Sequence, residues 1–480
     1  MSIEAMPADR PSSDTRLTGL YQRLSALRAV CIVLVEAFLL VPALSWGAEQ
    51  TLQAVPLFDA SANSISPVGR TLHVGGSIYG VTGGTATYGS IFKVAPDGTV
   101  SILHAFNISD GLYPMAGLTK GPDGALYGTT SNGGTNGGWG TIFKITVNGE
   151  FSSIFSFAET NGYQPSAELL LGSDGNFYGT THYGWAADFY HGTIFRVSPA
   201  GDFSTLVSLD GEHGAEPMAA LMEGKDHAFY GTTSSGGSSD LGTIFRITAD
   251  GHYTCLFSFN GTNGSHPQGG LLQCTKGTFY GTTTDGGQWG YGTIFEFDGV
   301  DTLKTLVSFD KTNGRIPETM LVERSDGLLY GTTLLGGEAD YGTLFKLSMD
   351  GVLTTLSSFD QSTGVWPSGW LEKGPDGNLY GNTATSSLYG AGSLFRLVNV
   401  PKIRSISLSS GLAAMTWTTF PEGIYDLEYT DNLAPAVWLP LVKSVIATNS
   451  LESVMDSSGL GSKRFYRVKL NPWNIKLPPL

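Results

Sequence analysis

Short apolar segments alternate with glycine-rich turns through most of the chain, in a unit of about 50 residues. Each unit has the same order of segments: an apolar pair, an Asp-Gly or similar turn, a strand such as Leu329 to Thr333, a glycine-rich loop, a strand such as Thr343 to Leu347, and a second turn before a last apolar segment. The Tyr-Gly pair marks the unit seven times, at Tyr79, Tyr127, Tyr178, Tyr230, Tyr280, Tyr330 and Tyr380. Four short segments joined by such turns predict four antiparallel strands per unit.

Isolated four-stranded sheets cannot bury both faces, so repeats of this length predict radial stacking into a propeller. Seven units over residues 49–400 predict an all-β, seven-bladed β-propeller. The last unit has no fourth strand after Ser393 to Leu397, whereas Thr51 to Asp59 matches the type of strand that ends at Asp360. We expect this N-terminal strand to pair with Ser393 to Leu397 and to close the propeller, because an open sheet edge invites aggregation.

The Leu-Tyr-Gly-Thr-Thr, Gly-Gly, Gly-Thr-Ile-Phe and Ser-Phe segments resemble the GloVer tandem repeats of secreted proteins from Verrucomicrobia-like bacteria. The resemblance covers Thr51 to about Val400 and implies a propeller and an exported protein. It implies no biochemical activity, because the family has no agreed one. Neither a Trp-Asp pair nor a kelch-type Gly-Gly doublet is present, so other propeller families are structural analogues only.

Residues 401–470 form a second, smaller domain in which the repeat stops. Alternating segments predict strands at Lys402 to Leu408, Ala413 to Trp417, Tyr425 to Tyr429, Val437 to Val442, Val445 to Ser450 and Phe465 to Lys469. Trp417 and the Tyr425 to Tyr429 segment resemble a fibronectin type III or immunoglobulin-like module, which implies a small β-sandwich with a spacer or adhesion role. Residues 471–480 form a Pro-rich tail in which we expect no anchor.

The first 48 residues have the order of a signal peptide. Arg16, Arg23 and Arg28 precede an apolar stretch from Ala29 to Leu44, and small residues follow near Ala48. The stretch contains Glu36 and Pro42 and is shorter than a clean bilayer span. We therefore expect export and cleavage near Ala48, giving a secreted or cell-surface protein that does not span the membrane; a retained membrane anchor is the alternative.

The amino-acid composition limits the classes of partner that the protein is expected to bind. The 65 glycines fit a turn-rich fold, and the 42 acidic against 27 basic residues give a formal net charge of −15. Such a balance repels phosphate backbones, so no nucleic-acid partner is expected.

Candidate binding residues lie in the loops that precede the third strand of each unit. An aromatic residue stands at or near the residue before Gly-Thr or Gly-Ser in several units, and two tryptophans have no counterpart in the other units. The aromatic set is Tyr88, Trp139, Tyr190, Tyr291, Tyr341 and Tyr389, and the two tryptophans are Trp185 and Trp289. These side chains either stack on sugar faces or wedge between neighbouring blades, and we expect the wedge for the recurring aromatic position and ligand contact for the two tryptophans.

No catalytic or metal-binding set stands out, and no cofactor is expected. The eight histidines are scattered, with only His182 and His191 close in sequence. Asp123, Asp174, Asp326 and Asp376 recur beside turns, where carboxylates cap backbone donors. Cys255 and Cys274 are expected to be free and buried. The sequence thus favours a non-enzymatic binding or adhesion scaffold whose long loops contact a glycan or an extracellular protein. The alternatives are a propeller-type polysaccharide hydrolase or lyase and a purely structural surface component.

Overall fold

The computed structural model describes residues 50–55, 66–83, 88–184, 191–374, 377–385, 392–399, 403–409, 412–418, 424–431, 438–446, 451–456 and 464–470. The chain divides into two compact units, one containing Gly47–Asn399 and the other containing Val400–Asn471. All elements are β-strands except the 3-10 turn Glu159–Asn161, the only helical segment among these residues. The all-β prediction is therefore confirmed.

The larger unit contains seven four-stranded antiparallel sheets, and in the first six the four strands follow chain order. Sheet 1 contains Ser66–Val74, Ser77–Gly83, Ser90–Val94 and Val100–Ala105. Sheet 2 contains Thr119–Lys120, Leu126–Thr130, Thr141–Ile145 and Phe151–Ser156. Sheet 3 contains Leu170–Leu171, Phe177–Thr181, Thr193–Val197 and Phe203–Ser208. Sheet 4 contains Met222–Glu223, Phe229–Thr233, Thr243–Ile247 and Tyr253–Ser258. Sheet 5 contains Leu272–Gln273, Phe279–Thr283, Thr293–Phe297 and Leu303–Ser308. Sheet 6 contains Val322–Glu323, Leu329–Thr333, Thr343–Leu347 and Leu353–Ser358.

Sheet 7 combines three strands of the last repeat with a strand from the N-terminal part of the chain. Its order is Val365–Lys373, Leu379–Thr385, Ser393–Asn399 and Gln50–Val55. The last two strands are antiparallel, with Leu52 opposite Leu397. The strand begins and ends earlier than the Thr51 to Asp59 segment predicted from the sequence, and residues 56–65 lie outside the described part.

Sheets 1 and 7 contact each other through a polar link. The His73 Nδ1 atom lies 2.9 Å from Glu372 Oε2, and the His73 backbone N–H donates to Glu372 Oε1 at 3.2 Å. The His73 ring also packs on Tyr380, with 4.8 Å between ring centroids. The first and last repeats of the unit are therefore neighbours in space.

A glycine in the second strand of every sheet makes room for a phenylalanine in the third. Gly231, for example, pairs directly with Phe245, and a Cβ atom added to Gly231 would lie 2.5 Å from the Phe245 Cζ atom. The same contact, at 2.4 to 2.6 Å, recurs at Gly80, Gly128, Gly179, Gly281, Gly331 and Gly381. Glycine weakens a strand by itself, so the ring that covers it explains why the repeat keeps a Tyr-Gly pair inside a strand.

Two hydroxyl groups explain the recurring Thr-Thr and Gly-Thr segments. In sheet 6 the Thr333 and Thr343 Oγ1 atoms are 2.9 Å apart, and the Thr343 backbone N–H donates to Thr333 Oγ1 at 3.0 Å. Both residues are fully buried. Because buried hydroxyls need partners, each threonine stabilises the other, and equivalent pairs occur in all seven sheets.

The recurring aspartates next to the first turn have a structural role, as the sequence predicted. The Tyr330 hydroxyl donates to Asp326 at 2.7 Å, and the Asp326 carboxylate also accepts the Leu328 backbone N–H at 3.1 Å. The equivalent tyrosine–aspartate bonds form at Asp123 and Asp174. Asp376 lies outside the described residues.

The apolar core lies between consecutive sheets rather than within one. One cluster joins Tyr230 and Ile244 of sheet 4 to Leu271, Phe279 and Phe295 from the next unit. Another joins sheet 6 to sheet 7 and includes Leu52 from the N-terminal strand at its edge. Each sheet therefore depends on its neighbours for burial of its faces.

We expect the Gly231→Ala substitution to lower the free energy of unfolding by about 1–3 kcal/mol, because the added methyl group collides with the Phe245 ring in a packed interior. Urea unfolding of the purified chain measures this change. Gly270→Ala is the matched control, since its Cβ atom would meet nothing closer than 3.4 Å. Equal stability of the two variants would contradict this account of the Tyr-Gly pair.

The smaller unit contains two three-stranded antiparallel sheets. Their strand orders are Ile403–Ser409, Leu412–Thr418 and Leu451–Asp456, and Leu439–Ile446, Ile424–Thr430 and Phe465–Leu470. Both sheets contribute to one buried cluster that includes Trp417, Tyr425 and Tyr466. Two details of the prediction are wrong. One strand, Leu439–Ile446, stands where two were predicted at Val437 to Val442 and Val445 to Ser450, and the fifth strand, Leu451–Asp456, was not predicted.

Buried polar groups also hold the smaller unit together. Asp456 is fully buried and accepts hydrogen bonds from Arg464 Nη1 at 2.9 Å and from the Tyr466 hydroxyl at 2.8 Å. The Arg467 guanidinium lies over the Trp438 ring, 4.3 Å from its centroid. These groups have clear structural roles.

Candidate functional site

The long loops of the larger unit lie at one end of each sheet. In the first six sheets the strands are antiparallel and follow chain order, so the two short hairpin turns lie at one end and the loops between the second and third strands lie at the other. The loops that lead into the next sheet lie at that same end. We call it the long-loop end.

The structure divides the predicted aromatic residues into exposed and packed ones. Trp289 is 56% exposed, Tyr88 43% and Tyr291 36%. Trp139 and Tyr341 instead lie against apolar clusters, and the Trp139 ring packs on Tyr163 with 5.0 Å between centroids. Trp185, Tyr190 and Tyr389 lie outside the described residues.

The backbone at the recurring aromatic position links each unit to the next. The Trp139 carbonyl accepts the Gln164 backbone N–H at 3.1 Å, and the Tyr341 carbonyl accepts that of Trp366 at 3.0 Å. The same bond forms at Tyr88, His191, Leu241 and Tyr291. The backbone of this position therefore joins neighbouring units whether its side chain is exposed, as at Tyr88, or packed, as at Trp139.

The residue that donates each of these bonds has a strained backbone. It precedes a proline, and its φ angle lies between +51° and +57° at Tyr113, Gln164, Glu216, His266, Ile316 and Trp366. A non-glycine residue pays for that conformation, which persists only where the surrounding structure imposes it. The sequence showed the recurring prolines but not this strain, which needs the spatial contact with the previous unit.

All seven repeats line one cavity, which we call the shared cavity. Its volume is about 270 Å³. The residue after each loop proline contributes to its wall: Val68, Met115, Ser166, Met218, Gln268, Glu318 and Ser368. Arg70, Gly117, Glu168 and Trp370, which are two residues further along, also line it. A wall with one contribution from every repeat places the cavity where the first strands converge.

A second cavity of about 610 Å³ continues from this region. Its wall is mainly leucine, methionine and alanine from the first strands, and it shares Arg70, Glu168 and Trp370 with the shared cavity. These three side chains therefore stand at the boundary between a smaller, more polar space and a larger, more apolar one.

An ion pair crosses this boundary between the first and third repeats. Arg70 Nη2 donates to Glu168 Oε1. Gly117 of the second repeat lies beside the pair, and a Cβ atom there would be 2.6 Å from Glu168 Oε2. Burial raises the pKa of the Glu168 carboxyl despite the attraction to Arg70, whereas attraction to Glu168 raises the pKa of Arg70.

Glu318 is the other carboxyl group in the wall of the shared cavity. Burial alone raises its pKa to about 7, and the described residues offer it no cation within ion-pair distance. The Ser166 and Ser368 hydroxyl oxygens in the same wall are buried and have no hydrogen-bond partner in the described part of the chain. Buried polar groups normally have partners, so this wall has unused capacity to bind a polar group.

Other predicted chemistry has structural explanations. His182 Nε2 lies 3.7 Å from Glu216 Oε2, and burial lowers the His182 pKa. Cys255 and Cys274 are both free, as predicted, although only Cys274 is fully buried. Within the described ranges no three His, Cys, Asp or Glu residues are grouped as a metal site would require.

Sequence reasoning missed the cavity residues because they do not form a local motif. Arg70 and Glu168 are 98 positions apart, and the corresponding position is glycine in the second repeat and tryptophan in the seventh. The usable signal was variation among equivalent positions: a charged residue stands where most repeats have a small or apolar one.

The repeated four-stranded sheets define an all-β tandem-repeat protein. The chain belongs to the Gloeobacter/Verrucomicrobia repeat family, whose profile matches residues 66–276 and 228–408. The family resemblance seen in the sequence is therefore confirmed for the repeats.

Similar solved structures include several proteins with different activities. A puromycin hydrolase is 13% identical at a TM-score of 0.46, with 75% of this chain and 60% of that one covered. A Trypanosoma rangeli sialidase is 11% identical at a TM-score of 0.41, covering 73% and 58%. A Dyadobacter fermentans protein of unknown function is 12% identical at a TM-score of 0.39, covering 72% and 98%. Such distant similarities assign no activity.

No curated protein matches the sequence. Among the described residues, no helix has the length and apolar character needed to cross a bilayer.

Proposed function

We propose that the protein is an exported, non-enzymatic binding or adhesion scaffold whose long-loop end contacts a glycan or an extracellular protein. In this proposal the larger unit is a seven-bladed propeller closed by the N-terminal strand. The contact between sheets 1 and 7 and the pairing of Gln50–Val55 with Ser393–Asn399 support closure. The smaller unit acts as a fibronectin type III-like spacer, which its two sheets around one core support.

The exposed Trp289 side chain carries the binding proposal. More than half of its surface is in contact with solvent, and Tyr291, two residues away, is also exposed. Exposed aromatic side chains on loops of a rigid scaffold offer large, flat contact area at low entropic cost. Folding does not explain their exposure, because Trp139 and Tyr341 show that this loop can also pack its aromatic residue.

The proposal can be tested by measuring binding of the purified chain to a glycan array. The same measurement is made on the Trp289→Ala and Trp185→Ala variants. We expect loss of Trp289 to weaken binding about tenfold or more, as for a central contact residue. Val352→Ala is the matched control, because Val352 is a 61% exposed apolar residue in a hairpin turn at the opposite end of its sheet. Binding that survives every substitution, or binding to no glycan or extracellular protein, would contradict the proposal.

A hydrolase or lyase acting on polysaccharides is the second candidate, and Glu318 is the observation that favours it. A carboxyl group with a pKa of about 7 suits general acid catalysis near neutral pH. Polysaccharide turnover that is lost in Glu318→Gln would support this candidate over the non-enzymatic one.

Export is proposed from the order of charged, apolar and small residues before Glu49. N-terminal sequencing of the protein from its native host tests it. A mature chain that starts close to Glu49 would support export, and a soluble chain that retains Met1 would oppose it.

A further inference from the structure

We propose that the shared cavity binds a small organic ammonium ion, with the Glu318 carboxylate as its counter-ion and Trp370 as an aromatic wall. Neither Trp289 nor Tyr291 belongs to the described lining of this cavity, so the inference stands whether or not those two side chains bind a glycan.

The first observation is a charge imbalance in the cavity wall. Three side chains carry charge there, and Arg70 and Glu168 neutralise each other. Glu318 therefore leaves the wall with one unbalanced negative charge when it is ionised. Glu318 is half-buried, and a charge that is largely removed from water is normally paired; the described residues include no cation bonded to it. A bound cation would supply the missing charge.

The second observation is that apolar and aromatic side chains form much of the remaining cavity wall. Met115, Met218 and Val68 provide apolar and polarisable surface, and Trp370 provides an indole ring. Organic cations favour such surroundings, because an aromatic face attracts the positive charge while alkyl groups are removed from water. A metal ion prefers several oxygen ligands, which this wall does not supply around one point.

The third observation is the supply of neutral hydrogen-bonding groups. The Ser166 and Ser368 hydroxyls are buried and lack partners among the described residues, and Gln268 lies in the same wall. These groups suit a hydroxyl or a second polar group on the same ligand. A cavity of about 270 Å³ admits a molecule of only a few carbon atoms beside water. The ligand class is therefore a small, singly charged ammonium compound with room for a hydroxyl group.

The proposal can be tested by isothermal titration calorimetry of the full chain. The ligands are choline, tetramethylammonium and ethylammonium. The controls are 3,3-dimethylbutan-1-ol, which is the neutral analogue of choline, and glucose, which is a neutral sugar. We expect at least one cation to bind with a Kd of about 1 mM or tighter, and the neutral analogue to bind about tenfold more weakly or not at all. Equal binding of choline and its neutral analogue, a preference for glucose, or no cation binding would each overturn the proposal.

Glu318→Gln keeps the shape of the side chain and removes its charge, so we expect cation affinity to fall about tenfold or more while the fold is retained. Glu338→Gln, an exposed carboxylate in the same repeat, is the matched control and should bind as the unmodified chain does. Trp370→Leu should weaken binding of the quaternary cations more than that of ethylammonium. Full affinity in Glu318→Gln would show that the carboxylate is not the counter-ion.

The pH dependence gives a second readout. Only ionised Glu318 pairs with a cation, so the affinity should fall about tenfold per unit as the pH drops below 7 and should level off above it. Arg70 and Glu168 also line the cavity, and Glu216 and His266 stand two residues before wall residues Met218 and Gln268. Measuring the same pH series on Glu318→Gln separates the contribution of Glu318 from that of Arg70, Glu168, Glu216 and His266. If the pH dependence of affinity is unchanged by this substitution, it arises from those other groups, which would contradict the proposal.

Discussion

A chain that begins at Ala60 is expected to lose several kcal/mol of unfolding free energy, or to be insoluble, relative to a chain that begins at Glu49. The shorter chain lacks Gln50–Val55, which pairs over six positions with Ser393–Asn399. At about 1 kcal/mol for each net hydrogen bond, the lost ladder alone is worth on the order of a few kcal/mol. Leu52 also leaves the cluster between sheets 6 and 7.

The loss should show as a melting temperature lower by many degrees and as aggregation. Removing the strand exposes unpaired N–H and C=O groups along Ser393–Asn399, which then form a free edge that can pair with another molecule. Circular dichroism melting and light scattering of the two chains measure both effects. Leu52→Ala should lie between them, because it removes apolar contact but keeps the ladder. Identical melting curves for the two chains would refute the proposed closure by the N-terminal strand.

The repeated part of the fold could be predicted because each recurring residue has a local physical task. Gly231 accommodates Phe245 on the neighbouring strand in sheet 4, and Thr333 bonds to Thr343 across the equivalent pair of strands in sheet 6. These contacts join strands only a few residues apart in sequence. Their spacing therefore appears directly in the chain, and the strands follow from it.

The smaller unit was harder to predict because its strands lack such markers. The sequence pattern predicted a break between Val442 and Val445, whereas the structure has one strand, Leu439–Ile446. Pro440 stands near the start of that strand, where a missing N–H costs least. The Leu451–Asp456 strand was missed because its buried acid, Asp456, resembles a loop residue until Arg464 and Tyr466 are seen to bond to it.

For the candidate site, too, the sequence predicted one part and missed another. Loop position alone correctly suggested exposure for Trp289, but it could not separate exposed Tyr291 from packed Tyr341, since packing depends on the neighbouring unit. The shared cavity could not be predicted at all. Its charged residues come from different repeats, and only the convergence of the first strands brings them together.

Replacing Arg70 with methionine is expected to lower the unfolding free energy by about 3–5 kcal/mol, the usual cost of leaving one charge of a buried pair without its partner. Glu168 has only 6% of its side-chain surface exposed, so water cannot replace the guanidinium. Glu168→Leu should cost less, because 32% of the Arg70 side chain is exposed and can be hydrated. Urea unfolding of each variant measures the difference.

The double variant Arg70→Met, Glu168→Leu decides whether the pair itself stabilises the protein. Two apolar side chains of similar size next to Gly117 leave no buried charge, so we expect most of the stability lost in Arg70→Met to return. The pH dependence should follow: Arg70→Met should regain stability as the pH falls, because protonated Glu168 needs no counter-ion, and the double variant should not. A double variant that stays as unstable as Arg70→Met would mean that the pair stabilises the fold more than two apolar side chains do, and its role would then be to hold the first and third repeats together across the shared cavity; strictly additive losses would instead mean that the two side chains contribute independently.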